Sequence, residues 1–210
     1  MNKLAKLITG MTIVGITICQ AHASIVFSFT ESGGNVLMQS SGVLNTANLL
    51  SVAVGGWSGV GVETNNPPQS DIMGDTTMGG IDTAFGFQAG TNLSPWVGNM
   101  FTNSNFIWSS NGTTQFATYY SNVGQRTPGI GISAADLDGA LWTPDISWTT
   151  AGTFATLGLT AGTYSITDAV TNESITIQIG AANSVPEPAS VALISLGLAG
   201  LGFSRRKAKA

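Results

Sequence analysis

The chain has 210 residues, with 7 Lys and Arg against 11 Asp and Glu, one His and one Cys. Its formal charge of −4 is unevenly spread: Ser24 to Ser184 holds ten acids against one cation, Arg126, so that stretch carries −9 and repels nucleic-acid phosphates and anionic lipid alike. The same stretch has no Cys, His or Lys, which excludes Ser–His–Asp and Cys–His nucleophiles, His- or Cys-ligated zinc and Schiff-base chemistry, and leaves carboxylates, Tyr and oxygen-ligated hard cations.

Residues 1–23 read as a signal peptide forming an N-terminal signal helix. Lys3 and Lys6 precede an apolar run from Leu7 to Ile18, and Ala21-His22-Ala23 supplies the small–x–small pattern before Ser24 that signal peptidase accepts. A permanent anchor is the competing reading, but the run falls short of the roughly 20 apolar residues that span a bilayer. Cys19 follows bulky Ile18, which argues against a lipoprotein site, and stays in the discarded peptide.

Residues 24–184 have the size of one domain and are long enough to bury a core. They lack a sustained helical period. Short β-branched and aromatic runs alternate with Gly, Asn and Pro, as in all-β proteins. Ile25–Thr30 reads as a strand, Glu31–Asn35 as a turn and Val36–Leu44 as the antiparallel partner. Asn65–Pro68 marks a loop, and Pro67–Gly80 reads as long and exposed. Ile81–Gln88, Phe106–Ser109, Phe116–Tyr120 and Gly129–Ile132 are candidate strands, and Ala134–Leu137 a short helical turn. Phe154–Leu159 reads as a strand, followed by a hairpin of Thr163–Thr167 and Ser174–Ile179. The 22 glycines of this stretch fit tight turns and bulges. The expected fold is all-β, a two-layer antiparallel sandwich, jelly-roll-like or Ig-like.

Residues 185–210 differ from all that precedes them. Val185, Pro186, Glu187 and Pro188 form a rigid motif. Residues 189–203 then read as a short transmembrane helix; at about 1.5 Å per residue they reach roughly 22 Å, less than a hydrocarbon core of about 30 Å. The basic tail, 204–210, carries Arg205, Arg206, Lys207 and Lys209, which hold that end in the cytoplasm. The tripartite pattern resembles the PEP-CTERM sorting domain. The resemblance implies export in a Gram-negative, exopolysaccharide-producing bacterium and processing by the membrane transpeptidase exosortase. It further implies transient membrane anchoring through this segment alone, then release or attachment at the cell surface. The segments Phe27–Asn45 and Phe154–Pro188 also resemble a recurring class of PEP-CTERM cargo domains, a likeness that implies a β-rich fold and no defined activity.

Two groups of residues are candidate sites. Trp57 and Trp96 lie in loop-like sequence, where an exposed indole can stack on a sugar; core packing is the alternative. Trp108 sits in an apolar run and is expected in the core. Asp136, Asp138 and Asp145 gather near Gly139 and offer oxygen ligands for calcium, although turn aspartates that bond their own backbone have the same pattern. Asp71 and Asp75 are a second such pair. A glycosidase needs two opposed carboxylates, and the sequence singles out no pair. The expectation is a non-enzymatic surface or biofilm-matrix protein, processed by signal peptidase and exosortase. The alternatives are a carbohydrate-binding module for exopolysaccharide and, third, a carboxylate-based glycan hydrolase.

Overall fold

The computed structural model describes residues 24–64, 71–76, 80–98, 100–120 and 127–180. The expected signal segment, the Asn65–Pro68 loop, Arg126 and the sorting segment lie outside the described residues.

β1 (Ser24–Ser32) buries Ile25, Phe27 and Phe29 and turns the intervening residues outward. Gly33 and Gly34 follow with φ of +59° and +78°. A two-residue hairpin turn requires such left-handed values, which glycine adopts without strain. β2 (Asn35–Gly42) returns antiparallel, with Ser32 opposite Asn35. β1 and β2 sit centrally in a six-stranded sheet whose order is β14 (Gly162–Thr167), β15 (Ser174–Ile179), β1, β2, β13 (Ser147–Ala151) and β8 (Ser109–Ser110).

The second sheet has the order β4 (Leu50–Ser51), β7 (Thr83–Gly86), β10 (Gly129–Ile132), β9 (Phe116–Tyr119), β6 (Asp71–Thr76) and β5 (Gly59–Val62). A third, small sheet joins β11 (Leu137–Asp138), β12 (Leu141–Trp142) and β3 (Leu44–Asn45).

The two large sheets meet through aromatic side chains. Phe27 stacks on Phe116 at 4.7 Å and 11°, and Phe116 stacks on Trp148 at 5.7 Å and 23°. Trp142 reaches the same cluster from the small sheet, 6.3 Å from Phe116. One polar tie crosses the interior. Asp75 of β6, buried, accepts hydrogen bonds from the Trp148 indole at 2.6 Å and from the Ser110 hydroxyl. Burying such a carboxylate is tolerable only because donors from the facing sheet meet it.

Both flanks of the sandwich are closed. On one, a single 3₁₀ turn, η1 (Ser94–Trp96), sets Trp96 edge-on to Phe87 at 5.9 Å and lets its indole donate to the Tyr164 carbonyl of edge strand β14 at 3.0 Å. On the other, Asn105 and Val62 exchange backbone hydrogen bonds of 2.9 Å along β5, and Trp108 packs against Phe29 and Trp148.

The second sheet is covered on its outer face as well. Gly61, Gly74, Ala117, Gly131 and Ala84 stand in register across β5, β6, β9, β10 and β7. Trp57 and Ile81 lie over this row and form, with Ala117 and Tyr119, a second apolar cluster. A Cβ on Gly74 would come within 2.6 Å of the Trp57 ring, and one on Gly131 within 2.8 Å of Ile81. These strand glycines therefore make room for side chains laid across the sheet, a use beyond the expected turns and bulges.

The all-β expectation holds among the described residues, which form three sheets and almost no helix, and a sandwich fits them. Strands 116–119 and 129–132, the 163–179 hairpin and the turn at 134–136 (a 3₁₀ helix, η2) fall where the sequence places them. Four expectations are corrected. The sandwich is not wholly antiparallel, since β1 and β15 run parallel. Residues 71–76, read as exposed loop, form β6, whose residues 72–76 are buried. The strand expected at Phe106–Ser109 is reduced to Ser109–Ser110, and Phe106 and Ile107 are exposed. Phe154–Leu157 is a helix, α1, rather than a strand. Thr153 and Thr156 cap it reciprocally, Gly158 ends it at φ +71°, and the Glu31 carboxylate accepts the Phe154 N–H at 2.6 Å.

Candidate functional site

The geometry that bears on function lies at the two ends of the described chain. Ser24, the first residue after Ala21-His22-Ala23, is already the first residue of β1. The parallel ladder sets it opposite Ser174, and their hydroxyls are 2.9 Å apart. Five steps along, Phe29 stands opposite Ile179. Strand rise makes that separation about 17 Å. The chain therefore enters β1 at one end of the sandwich and leaves β15 at the other.

At the exit, the Gly180 N–H donates to the Phe29 carbonyl at 2.9 Å, and φ of +93° at Gly180 redirects the chain. β1 runs on for three residues past its last partner in β15. A groove of about 270 Å³ opens there, lined by Thr30, Glu31, Phe154 and Gly180. Four residues, Ala181 to Ser184, separate Gly180 from Val185. Val185, Pro186, Glu187, Pro188, Arg205, Arg206 and Lys207 lie outside the described residues, as do Ala21 and Ala23. No helix of the described residues is long and apolar enough to cross a membrane.

The two expected ligand sites are not assembled. Trp96 has no exposed area and Trp57 is 8 % exposed; its indole donates to the Gly59 carbonyl at 3.0 Å and its ring packs on Phe106. Trp108, Trp142 and Trp148 are also buried. Loop-like sequence around Trp57 and Trp96 signals irregular backbone, and here that backbone folds its indoles inward. The large exposed aromatic is Phe106 instead. Intrinsic fluorescence checks this: native emission should be blue-shifted and poorly quenched by acrylamide, and strong native quenching would place a tryptophan on the surface.

Among the described residues, no group of three acids, His or Cys is placed to hold a metal ion. Asp136 sits in η2 and accepts from the Gln115 N–H, Asp138 is exposed in β11, and Asp145 is exposed, with its backbone bonded to Thr113 and Thr114.

Of the acids that the fold buries, the sequence singled out only Asp75, as a partner of Asp71. Besides Asp75, these are Asp168 and Glu173 in the β14–β15 loop. The Asp168 carboxylate accepts from the backbone N–H of Gln88, Val170 and Thr171 and from the Thr171 hydroxyl. Burial alone raises its pKa, but the donors from Gln88, Thr171 and Val170 outweigh burial and leave the value lowered. Glu173 accepts the Asn45 N–H at 3.0 Å and so ties the loop to β3. Burial pushes the Tyr164 phenol up, and its hydroxyl donates to the Thr160 carbonyl.

Residues 184–207 match the family model of the PEP-CTERM protein-sorting motif. No curated protein and no solved structure matches the chain. The match covers the C-terminal segment alone and supports reading the chain as a PEP-CTERM exosortase substrate.

Proposed function

We propose that this is an exported, exosortase-processed protein of the cell surface or biofilm matrix, and that its β domain is non-catalytic. The match at 184–207 carries the reading. Three further observations support it. Ser24 begins β1 directly, so a cut after Ala23 leaves a domain with no loose leader. In sequence, five residues separate Ile179, the end of the last strand, from Val185. The buried acids are engaged in holding loops and sheets together: Asp75 with Trp148 and Ser110, Asp168 with Gln88 and Thr171. Signal peptidase and exosortase are its processing partners. Every tryptophan is buried, so no indole is exposed to stack on a sugar.

Mass spectrometry of surface material from an exosortase-bearing host tests this. The mature N-terminus should be Ser24, and the Arg205–Lys207 tail should be gone. A Pro186→Ala, Pro188→Ala chain should keep its tail and stay with the membrane, as should the unaltered chain when exosortase is deleted. An intact basic tail on wild-type surface protein overturns the processing scheme.

A further inference from the structure

The sequence contains a single Asn-Gly step, Asn111-Gly112, on the segment that leaves edge strand β8. Asparagine is chemically labile, most so before glycine, which has no Cβ to block approach to the carboxamide. The fold employs the carboxamides of several other asparagines. Asn105 donates to the Leu157 carbonyl and accepts from the Trp108 indole, and Asn45 and Asn92 accept the N–H of Ala47 and Ser94. Asn111 is exposed, and among the described residues its carboxamide makes no hydrogen bond; the Gly112 N–H has no acceptor there either. The backbone on both sides is pinned. The Asn111 N–H donates to the Ser147 carbonyl at 2.8 Å and the Thr113 N–H to the Asp145 carbonyl at 3.2 Å. Gly112 lies close against the same partner chain: a Cβ there would come within 2.3 Å of the Asp145 carbonyl oxygen and 2.7 Å of the Ile146 Cα.

We infer that Asn111 is a site of spontaneous deamidation in the folded protein, with aspartate as the product that the fold favours. The Gly112 nitrogen attacks Cγ of Asn111 and closes a succinimide ring. The carboxamide nitrogen leaves as ammonia, carrying the proton lost by the Gly112 amide. Water then adds to one of the two ring carbonyls and opens it, giving aspartate or isoaspartate without oxidant or enzyme. The attack breaks no hydrogen bond of the Gly112 amide and frees no engaged side chain. The pins select the product. Isoaspartate carries the main chain through the side-chain methylene, and so lengthens it by one carbon between residues 111 and 112. With both flanking amides tied to Ser147 and Asp145, and Gly112 against Asp145, that extra atom has no room unless one of these bonds breaks. Aspartate leaves the backbone path unchanged. It adds one negative charge at the edge of the β8 sheet, in a stretch that already carries −9.

The test incubates the full wild-type chain in mildly alkaline buffer, native and in urea, and follows each asparagine by peptide mass spectrometry, with aspartate and isoaspartate separated by chromatography. In the native chain Asn111 should convert at least about tenfold faster than Asn105, whose carboxamide is held by two hydrogen bonds. The ratio of isoaspartate to aspartate at position 111 should be lower in the native chain than in urea, where nothing pins the segment. Native conversion at Asn111 no faster than at Asn105 overturns the site. An equal or higher isoaspartate ratio in the native chain overturns the product. Asn111→Asp gives an independent readout: it should keep a urea midpoint close to that of the wild type, and a large fall would show that the segment does not accommodate the proposed product. None of these measurements involves exosortase, so each result leaves the processing scheme to its own assay.

Discussion

Phe27→Ala is expected to lower the free energy of unfolding by about 3–5 kcal/mol, the usual cost of truncating a fully buried phenylalanine. Phe27 has no exposed area and stacks on Phe116 of the facing sheet. On its own sheet it stands opposite Ile177 of β15 and Ser40 of β2. Truncation therefore opens a cavity at the contact between the two sheets, bordered by Phe116, whose other stacking partner is Trp148. The loss is a large share of the roughly 5–15 kcal/mol that holds a typical domain together. β1 is also the strand through which the β14–β15 hairpin joins the sheet, so the same substitution loosens the exit to the sorting segment. Urea denaturation gives the measurement: the midpoint should fall with the slope unchanged. Ser28→Ala, on the opposite face of the same strand, should stay within about 0.5 kcal/mol. Equal effects at the two positions would mean that the sandwich does not close over Phe27.

The contrast between those neighbouring residues was legible in the sequence, because β1 and β15 alternate apolar and polar residues over a full strand length. The second sheet was harder to read, for a physical reason. Its strands carry Gly59, Gly61, Gly74, Gly129 and Gly131, and glycine argues against a strand when only local preference is weighed. Two of these glycines make room for covering side chains, Gly74 under Trp57 and Gly131 under Ile81. A sheet buried on both faces, one of them by cross-strand side chains, does not alternate polar with apolar. β6 was lost twice over, since Gly74 and Asp75 both read as loop; one lies under Trp57 and the other reaches Trp148 across the core. α1 was a different failure. Phe154 and Thr156 favour a strand by type, but Thr153-x-x-Thr156 followed by Gly158 is a cap at each end of a single helical turn. The sorting segment was the most legible part, because its signal is a linear pattern that needs no tertiary partner. Trp57 and Trp96 were the least, since whether an indole faces inward is decided by segments far away in the chain, whereas the apolar run around Trp108 pointed correctly to the core.

Asp168→Asn should destabilise the fold by at least one charge-assisted hydrogen bond, about 1.5–3 kcal/mol near neutral pH. Asp168 has no exposed area, and one of its oxygens accepts the Gln88 N–H while the other accepts from Val170, Thr171 and the Thr171 hydroxyl. An asparagine keeps one acceptor and must turn an amide N–H₂ toward a donor on one of the two sides. The wild-type contribution depends on ionisation. Burial pushes the Asp168 pKa up, but the hydrogen bonds from Gln88, Thr171 and Val170 prevail, and the folded value lies below the ordinary 3.8. With the folded value depressed, the native state binds a proton less readily than the unfolded chain. The stabilisation is then fully present above 3.8 and is lost as pH falls through the folded-state value. The asparagine variant lacks this component. The gap between wild type and Asp168→Asn should therefore be widest near neutral pH and should narrow on acidification below 3.8. Other carboxylates titrate in both proteins and cancel in the difference. Urea midpoints for the pair, taken from neutral pH to about pH 2, would show it; a gap that stays constant or widens in acid would mean that Asp168 is not held as a carboxylate by these donors.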